Sequence, residues 1–310
     1  MPAFGLIVIG DEILSGKRAD KHLPKVIELL KARGLQLAWA DYVGDSPTRI
    51  TSTLKRAFAS GDVVFSTGGI GATPDDHTRQ CAARALGVEL ALHSEAEALI
   101  RQRMQDIAKE QGTAYEPDRP DNIHRLNMGM FPRGAKIIPN PFNKIPGFSC
   151  TGGSDPHAVG ERGGQFFAGP PQGKLAPSGG SDPHAVGERG GRILGRIYFL
   201  PGFPVMAWPM IEWVLDHEYP HLQQVSAWVE RSVVVFGAME ATLTPLMEAV
   251  ERDFPGVKVF SLPSVDHPQY GRHIELGVKG DQAAVGQAYA AMISGLKQFN
   301  ARLGPELVQK

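Results

Sequence analysis

The chain has 310 residues, of which 42% are apolar and 21% charged, so hydrophobic cores for one or two domains are expected and global disorder is excluded. Its formal net charge of −1 argues against a nucleic-acid-binding surface. The two cysteines exclude a disulfide framework, and the sequence has neither a signal peptide pattern nor a membrane-spanning run, so a cytoplasmic protein without a membrane partner is expected.

The first third of the chain alternates strand and helix patterns. Phe4–Ile9 is a continuous apolar run of the kind found in strands that are covered on both faces. Further strands are predicted at 36–43 and 62–66, with helices between them and after them. This alternation predicts a parallel sheet with helices on both faces, and ligands bound at the carboxyl ends of the strands.

The segment Thr67–Thr78 (TGGIGATPDDHT) is the most informative part of the sequence. It follows the strand at 62–66, and we expect Thr73 to cap a helix in which Pro74 is the first residue and Asp76 the third. Free amides in a glycine-rich turn before a helix predict an anion site, where Gly68 to Gly71 would hold a phosphate. The adjacent carboxylates conflict with a simple phosphate site unless a metal ion lies between acid and phosphate, or an acid acts in catalysis.

The next part of the chain is less regular. Ser94 with Glu97 predicts a capping box for a helix reaching about Gln111, and 115–120 reads as a loop. A short strand is predicted at 136–138, followed by Pro139-Asn140-Pro141. Residues 151–191, rich in glycine and proline, are predicted to form a flexible insertion in this domain.

That insertion contains a repeat. Residues 152–164 recur residue for residue at 179–191, through either a duplicated loop or a sequence artefact. His157 and His184 could bind a metal ion, or they could lie in a loop that has no binding site. The loop is favoured, because flexible segments make poorly organised sites.

The remainder predicts a strand at 196–200, a turn containing Pro201 and Gly202, and a helix around 206–215. A compact pattern follows: a strand at 232–236, a helix at 240–252, strands near 257–261 and 272–278, and a helix at 281–299. We therefore expect a first domain over 1–220 and a small second α+β domain over 225–310 with antiparallel strands.

Four stretches resemble the molybdopterin-binding domain family of the MoaB/MogA type, and within it the N-terminal part of the CinA branch. They are Gly10–Gly16 (GDEILSG), Thr67–Thr78, the proline-containing loop 139–147, and Leu200–Pro204 (LPGFP). The chain departs from the branch at 143–145, where Gly-Thr-Ala is usual, and at 205–206, where Glu-Met is usual.

The resemblance implies a three-layer α/β/α fold with a mostly parallel sheet that binds a pterin or nucleotide through its phosphates. In cofactor-making members, two acidic positions serve adenylyl transfer or metal insertion, and they correspond to Asp45 and Asp76. The CinA branch implies metal-dependent hydrolysis of the pyrophosphate in ADP-ribose. The amidohydrolase domain of full-length members has no counterpart here, so we expect its activity to be absent, and the resemblance also implies a homo-oligomer.

The site hypothesis combines both lines of reasoning. Asp76 and Asp45 are the predicted catalytic residues, and with Asp11 they are the predicted ligands of a divalent metal ion. The predicted substrate-binding residues are Gly10, Asp11, Glu12, Thr67, Gly68, Gly69, Ile70, Gly71, Asn140, Pro201 and Gly202. Structural alternatives stay open: a tight turn for the glycines, a helix cap for Asp76, a turn residue for Asp45 and a rigid connector for Asn140.

Three functions are consistent with these residues. The first is hydrolysis of a nucleotide or pterin pyrophosphate with a divalent metal. The second is adenylyl transfer to molybdopterin, and the third is a non-catalytic module that binds molybdopterin or a nucleotide.

Overall fold

The computed structural model describes residues 2–153, 194–223, 228–299 and 301–309. The chain divides into two compact units, Met1–Leu222 and Gln223–Lys310. Most of the insertion predicted at 151–191, with both histidines considered there, lies outside the described residues. In the described ranges, each helix is too short or too polar to cross a membrane.

The first unit contains strands and helices in the following order: β1 (Phe4–Ile9), α1 (Asp11–Leu14), α2 (His22–Lys31), β2 (Leu37–Val43), α3 (Pro47–Ser60), β3 (Val63–Thr67), α4 (Thr78–Leu86), β4 (Leu90–Leu92), α5 (Ser94–Glu110), α6 (Pro120–Leu126), β5 (Met130–Pro132), β6 (Lys136–Ile138), β7 (Gly147–Thr151), β8 (Arg196–Leu200) and α7 (Pro204–Glu218).

A six-stranded sheet with the order β2-β1-β3-β8-β7-β6 forms the centre of this unit. The first four strands of that order are mutually parallel, whereas β7 runs antiparallel to both of its neighbours. The carboxyl-terminal ends of β1, β2, β3 and β8 therefore lie along one edge of the sheet, which we call the carboxyl edge. Because β7 is reversed, the loop between β6 and β7 reaches the same edge.

Both faces of the sheet are covered. On one face, β-strand residues such as Leu6 and Phe65 pack with Val26 of α2 and Ile211 of α7. On the other face, a second core joins the sheet to α3, α4 and α5. The predicted three-layer α/β/α architecture with a mostly parallel sheet is confirmed.

The second unit contains β9 (Trp228–Phe236), α8 (Glu240–Asp253), β10 (Lys258–His267), β11 (Gly271–Asp281), α9 (Gln282–Gln298) and β12 (Arg302–Gln309). Its sheet has the order β10-β11-β9-β12 and is antiparallel throughout. Its core, which includes Leu276 and Met292, packs the two helices against this sheet. The smaller α+β part is thus also confirmed, although β12 was not predicted.

Two helix starts differ from the sequence prediction. Helix α4 begins at Thr78, five residues after the predicted cap Thr73, because the Asp76 carboxylate accepts hydrogen bonds from Thr73 and holds 73–76 in a turn. Helix α5 has His93 at its N-cap and no side-chain cap, so the capping box predicted from Ser94 and Glu97 is wrong, although the helix itself is present.

Other elements were missed because their signals are short. Helix α6, the β4–β5 pair and β7 lie in the part of the chain with least periodicity. At the edge opposite the carboxyl edge, β7 ends and β8 begins, and the amide of Gly152 donates to the Gly195 carbonyl at 2.9 Å.

Candidate functional site

The glycine turn after β3 is held from behind by the first residues of α4. The Thr78 hydroxyl donates to the Gly68 carbonyl at 3.1 Å, and the Thr78 amide donates to the Gly69 carbonyl at 3.0 Å. The first amide of the helix therefore already donates a hydrogen bond within the protein. The Thr78 amide is thus not available to the anion that the sequence predicts at this turn.

Arg79 continues this arrangement. Its guanidinium donates to the Ile70 carbonyl through Nη1, and to the Gly71 carbonyl through Nη2 at 2.7 Å. Only 3% of Arg79 is exposed, and burial lowers the pKa of the guanidinium while the nearby Asp76 charge opposes that shift. We call Thr78 and Arg79 the carbonyl clamp, because together they bind four successive carbonyls.

The amides of the same peptide groups face the other way. In a trans peptide the N–H points opposite to the C=O, so the amides of residues 69–72 are directed away from the clamp. Within the described residues these four amides donate no hydrogen bond. The Gly68 amide, in contrast, donates to Leu200 at 3.0 Å, so its predicted role in holding a phosphate is wrong.

Glycine is required in this turn for steric reasons. Gly68 has φ +100°, and a Cβ there would lie 2.1 Å from the Ile9 carbonyl oxygen. Gly69 has φ +68°, and its Cβ would lie 2.1 Å from the Thr78 hydroxyl. Substitution would break the close approach of the turn to β1 and to the clamp.

Asp76 lies directly beside this turn. Its Oδ2 accepts from the Thr73 amide at 2.8 Å and from the Thr73 hydroxyl at 2.6 Å. A Cβ on Gly71 would approach the same oxygen to 2.6 Å. A carboxylate is therefore placed next to unpartnered amides, as the sequence predicted.

Asp11 and Asp45 form a second acidic feature at the carboxyl edge. The Asp11 amide donates to the Asp45 carboxylate at 3.0 Å, and the Asp45 amide donates to the Asp11 carboxylate at 3.1 Å. Burial raises the pKa of Asp45, and the charges of Asp11, Glu12 and Asp75 raise it further, although the hydrogen bond from the Asp11 amide acts against them. One oxygen of each carboxylate in the pair remains without a hydrogen bond in the described structure.

These carboxylates do not make a complete metal site by themselves. Across the described ranges, no three histidine, cysteine, aspartate or glutamate side chains are grouped closely enough to hold a metal ion. The structure joins Asp11 to Asp45 and joins Asp76 to Thr73, and among the described residues no hydrogen bond links the two features. A cation here would need oxygens from a ligand to complete its coordination.

A cavity of about 300 Å³ opens at the carboxyl edge beside α1 and the start of α2. It is lined by Val8, Ile9, Glu12, Ile13, Arg18, Ala19, Lys21, His22, Thr67, Gly202, Phe203 and Pro204. Apolar walls with a few polar or charged groups are typical of small-molecule pockets.

Two buried polar atoms of the cavity-lining residues lack partners. His22, 4% exposed, contacts the Gly202 carbonyl through Nε2 at 3.0 Å, whereas its Nδ1 has no hydrogen bond. The hydroxyl of Thr67, 1% exposed, is likewise unpartnered. Because buried polar groups are usually hydrogen-bonded, these two atoms of cavity-lining residues are candidates to bind a ligand.

Some of the other predicted substrate-binding residues line the cavity, whereas others use their polar groups within the fold. Glu12, Thr67 and Gly202 line the cavity, with Pro201 adjoining it in sequence. The Gly10 amide donates to Val43 at 3.0 Å, so it is used by the fold. The Asn140 amide nitrogen donates to Asn143 and Ile145 within its own loop, which favours the rigid-connector alternative.

Sequence reasoning missed several residues of this site. Arg18, Lys21, His22 and Phe203 line the cavity, and Arg79 binds the glycine turn. The basic residues follow Asp11-Glu12 within a few positions, which was a usable signal for an anion-binding loop. Arg79 gave none, because its role depends on burial beneath the turn.

Comparison with known proteins identifies the family of this chain. The family model described as a probable molybdopterin binding domain matches residues 5–224. The chain belongs to this family. The resemblance stated from the sequence motifs is thereby confirmed.

Similar proteins include a CinA-like protein of Anaeromyxobacter dehalogenans, 28% identical over 72% of this chain but only 42% of that relative. The chain thus spans less than half the length of that relative. A protein of Pyrobaculum calidifontis is 28% identical over 94% of both chains. Among solved structures, CinA of Thermoplasma acidophilum, whose function is unknown, has 23% identity and a TM-score of 0.47, covering 69% of this chain and 96% of that one.

Proposed function

We propose that this member of the molybdopterin-binding family binds a phosphorylated nucleotide or pterin at the carboxyl edge and hydrolyses its pyrophosphate with a divalent cation, as expected for an ADP-ribose pyrophosphatase of the CinA type. The observation that carries the proposal is the set of four unpartnered amides at residues 69–72. Phosphate oxygens accept hydrogen bonds from such outward-facing amides.

The cavity supports binding of a ring next to the phosphate. Phe203 and Ile13 offer apolar contact, and Arg18 and Lys21 offer positive charge. The unpartnered Nδ1 of His22 would accept a hydrogen bond, because Nε2 carries the hydrogen when it contacts the Gly202 carbonyl. An amino or ring N–H group of a pterin or purine has the required donor.

The acidic residues fit a cation only together with a phosphate ligand. Asp11 and Asp45 would hold the cation through their free oxygens, and it would polarise the pyrophosphate and activate water. Asp76 would orient the attacking water beside the amides that hold the phosphate. Burial, and then the charges of neighbouring carboxylates, raise the pKa of Asp45, and a bound cation would offset both effects.

Asp76→Asn tests the role of the carboxylate beside the turn. An asparagine side-chain oxygen still accepts from the Thr73 amide and hydroxyl, so the turn is expected to keep its structure. Loss of the charge is expected to lower turnover of ADP-ribose by about 100-fold or more. Turnover is measured by product analysis with Mg²⁺, Mn²⁺, Co²⁺ and Ni²⁺, with FAD, NAD, ATP and pterins tested alongside.

Asp121→Asn provides a control with the same loss of charge. Asp121 is paired with Arg119 on the surface and lies outside the proposed site, so its variant should retain full turnover. Equal turnover by wild type and Asp76→Asn would contradict the proposed mechanism.

Binding without chemistry is the second candidate, favoured by the lack of a three-ligand group in the described residues. It predicts thermal stabilisation by one of the same ligands without any product. Formation of an adenylylated pterin from ATP and molybdopterin would instead indicate the adenylyl-transfer alternative.

A further inference from the structure

We propose that Arg79 is a positioning residue that sets the anion-binding amides of the glycine turn from behind, without touching the ligand. This inference rests on the proposed function and assigns a role to a residue outside the cavity. Its basis is the direction of the four peptide groups between Gly68 and Ala72.

The carbonyl clamp determines that direction. Each of the four carbonyls from Gly68 to Gly71 is bound by Thr78 or Arg79, and each partner lies on the side of α4. A peptide that turned its carbonyl outward would lose its hydrogen bond and would direct its amide into the protein. The clamp therefore favours the one orientation in which all four amides point away from α4.

Arg79 contributes the two bonds that Thr78 does not make. Residue 70 and residue 71 lie at the tip of the turn, where Thr78 does not reach, and the planar fork of the guanidinium contacts both carbonyls at once. A lysine ammonium carries its three donors on one freely rotating nitrogen, so it does not reproduce this planar arrangement of two nitrogens. The amides of Gly71 and Ala72 are thus the ones most dependent on Arg79.

The buried charge of Arg79 has a second consequence. The guanidinium is hydrogen-bonded to carbonyls, and in the described part of the chain no carboxylate forms an ion pair with it. Asp76 is the acidic group whose charge acts on it. An anion held by the opposite ends of these peptide groups would add favourable electrostatic interaction with the incompletely balanced positive charge.

The test uses inorganic pyrophosphate as the probe and Arg79→Lys as the variant. We expect the dissociation constant for pyrophosphate, measured by calorimetry, to rise about tenfold or more, equivalent to about 1.4 kcal/mol. Arg33→Lys is the matched control, because the Arg33 guanidinium also donates from several nitrogens, to the Asp216 carboxylate and the Leu29 carbonyl, but among the residues described contacts none of the turn. The control should bind pyrophosphate as wild type does.

Chemical rescue separates positioning from general stability. In Arg79→Ala, ethylguanidinium is expected to restore pyrophosphate affinity, whereas ethylammonium at the same concentration is not. Wild-type affinity in both Arg79 variants would overturn the inference, as would equal rescue by the two cations.

A measurement on the wild-type protein keeps the inference testable if the variants do not fold. Addition of pyrophosphate should shift the ¹⁵N–¹H resonances of Gly71 and Ala72, the amides oriented by Arg79, more than the backbone resonances of Arg18 and Lys21. Largest shifts at Arg18 and Lys21 would overturn the role of the turn while leaving phosphate binding intact. Absence of any pyrophosphate binding by wild type would overturn the proposed function and, with it, this inference.

Discussion

At the scale of single residues, Asp45 shows how a site residue works against folding. Its pKa is raised above the ordinary 3.8 by burial and then by the neighbouring charges of Asp11, Glu12 and Asp75. The folded state therefore holds more protons than the unfolded state as pH rises above 3.8, and stability falls across that window. At neutral pH the charged Asp45 carboxylate is a net destabilising group.

We therefore expect Asp45→Asn to raise the free energy of unfolding at pH 7 by about 0.5 kcal/mol, the size of interactions between partly exposed charges. The asparagine oxygen still accepts from the Asp11 amide, so the local hydrogen bond is kept. Urea unfolding at pH 7 and at pH 4 checks this, since the gain should shrink at the lower pH. A less stable variant at pH 7 would contradict it.

Residue identity alone led to part of the candidate site. The acids and glycines were proposed because their side-chain chemistry and backbone freedom are readable in a motif, and their roles stay predictions. Arg79 was missed because its contacts with the carbonyls of the turn depend on burial, and His22 because the cavity it lines is assembled from separate elements.

At the scale of elements, the turn between β3 and α4 depends on its fit against β1. Gly68 combines a left-handed backbone with contact to the Ile9 carbonyl, which leaves no room for a side chain. Gly16 has a similar φ of +73°, but a Cβ added there would have no atom within 4 Å, so Gly16 isolates the cost of the backbone conformation alone.

Gly68→Ala is accordingly expected to destabilise the first unit by more than Gly16→Ala, which should cost about 1 kcal/mol. The steric overlap with Ile9 should bring the cost at Gly68 to about 3 kcal/mol or more and should weaken pyrophosphate binding. Unfolding in urea and calorimetric titration measure both effects. Similar losses of stability in the two variants would show that β1 can move to make room for the alanine methyl group.

The order of elements was predictable where periodicity is strong, as in β1, α2 and α5. The start of α4 was wrong because Thr73, Pro74 and Asp76 have the composition of a helix start, whereas the Asp76 side chain closes a turn instead. Residues 73–76 could form either the first turn of a helix or a turn closed by a side chain. The contact of Thr78 with the Gly68 carbonyl favours the second arrangement, and the sequence does not reveal that contact.

At the scale of the whole molecule, the two units have separate cores. Leu276 is fully buried among apolar residues of the second unit, and the site lies in the first. The parallel sheet of the first unit and the antiparallel strands of the second were both predicted from the order of apolar runs. Strand β12 was missed because Gly304 and Pro305 interrupt its run of apolar residues.

Leu276→Ala should destabilise the second unit by about 2–5 kcal/mol through loss of buried contacts and creation of a cavity. Pyrophosphate affinity of the first unit should stay unchanged. Calorimetric melting with titration at 25 °C tests both statements, and a parallel loss of affinity would show that the second unit supports the site.

Gly152 and Gly195 pair at the edge of the sheet opposite the carboxyl edge. The two glycines respectively follow β7 and precede β8, and they lie at the end of the sheet that is far from the cavity. A hydrogen bond between their backbones holds these two points of the chain together. Because this hydrogen bond joins the end of β7 to the start of β8, we expect a change in the number of residues between the two glycines to leave the strand register unchanged. The same junction is a rational point for grafting a tag or a reporter, since the carboxyl edge is separated from it by the full length of the strands.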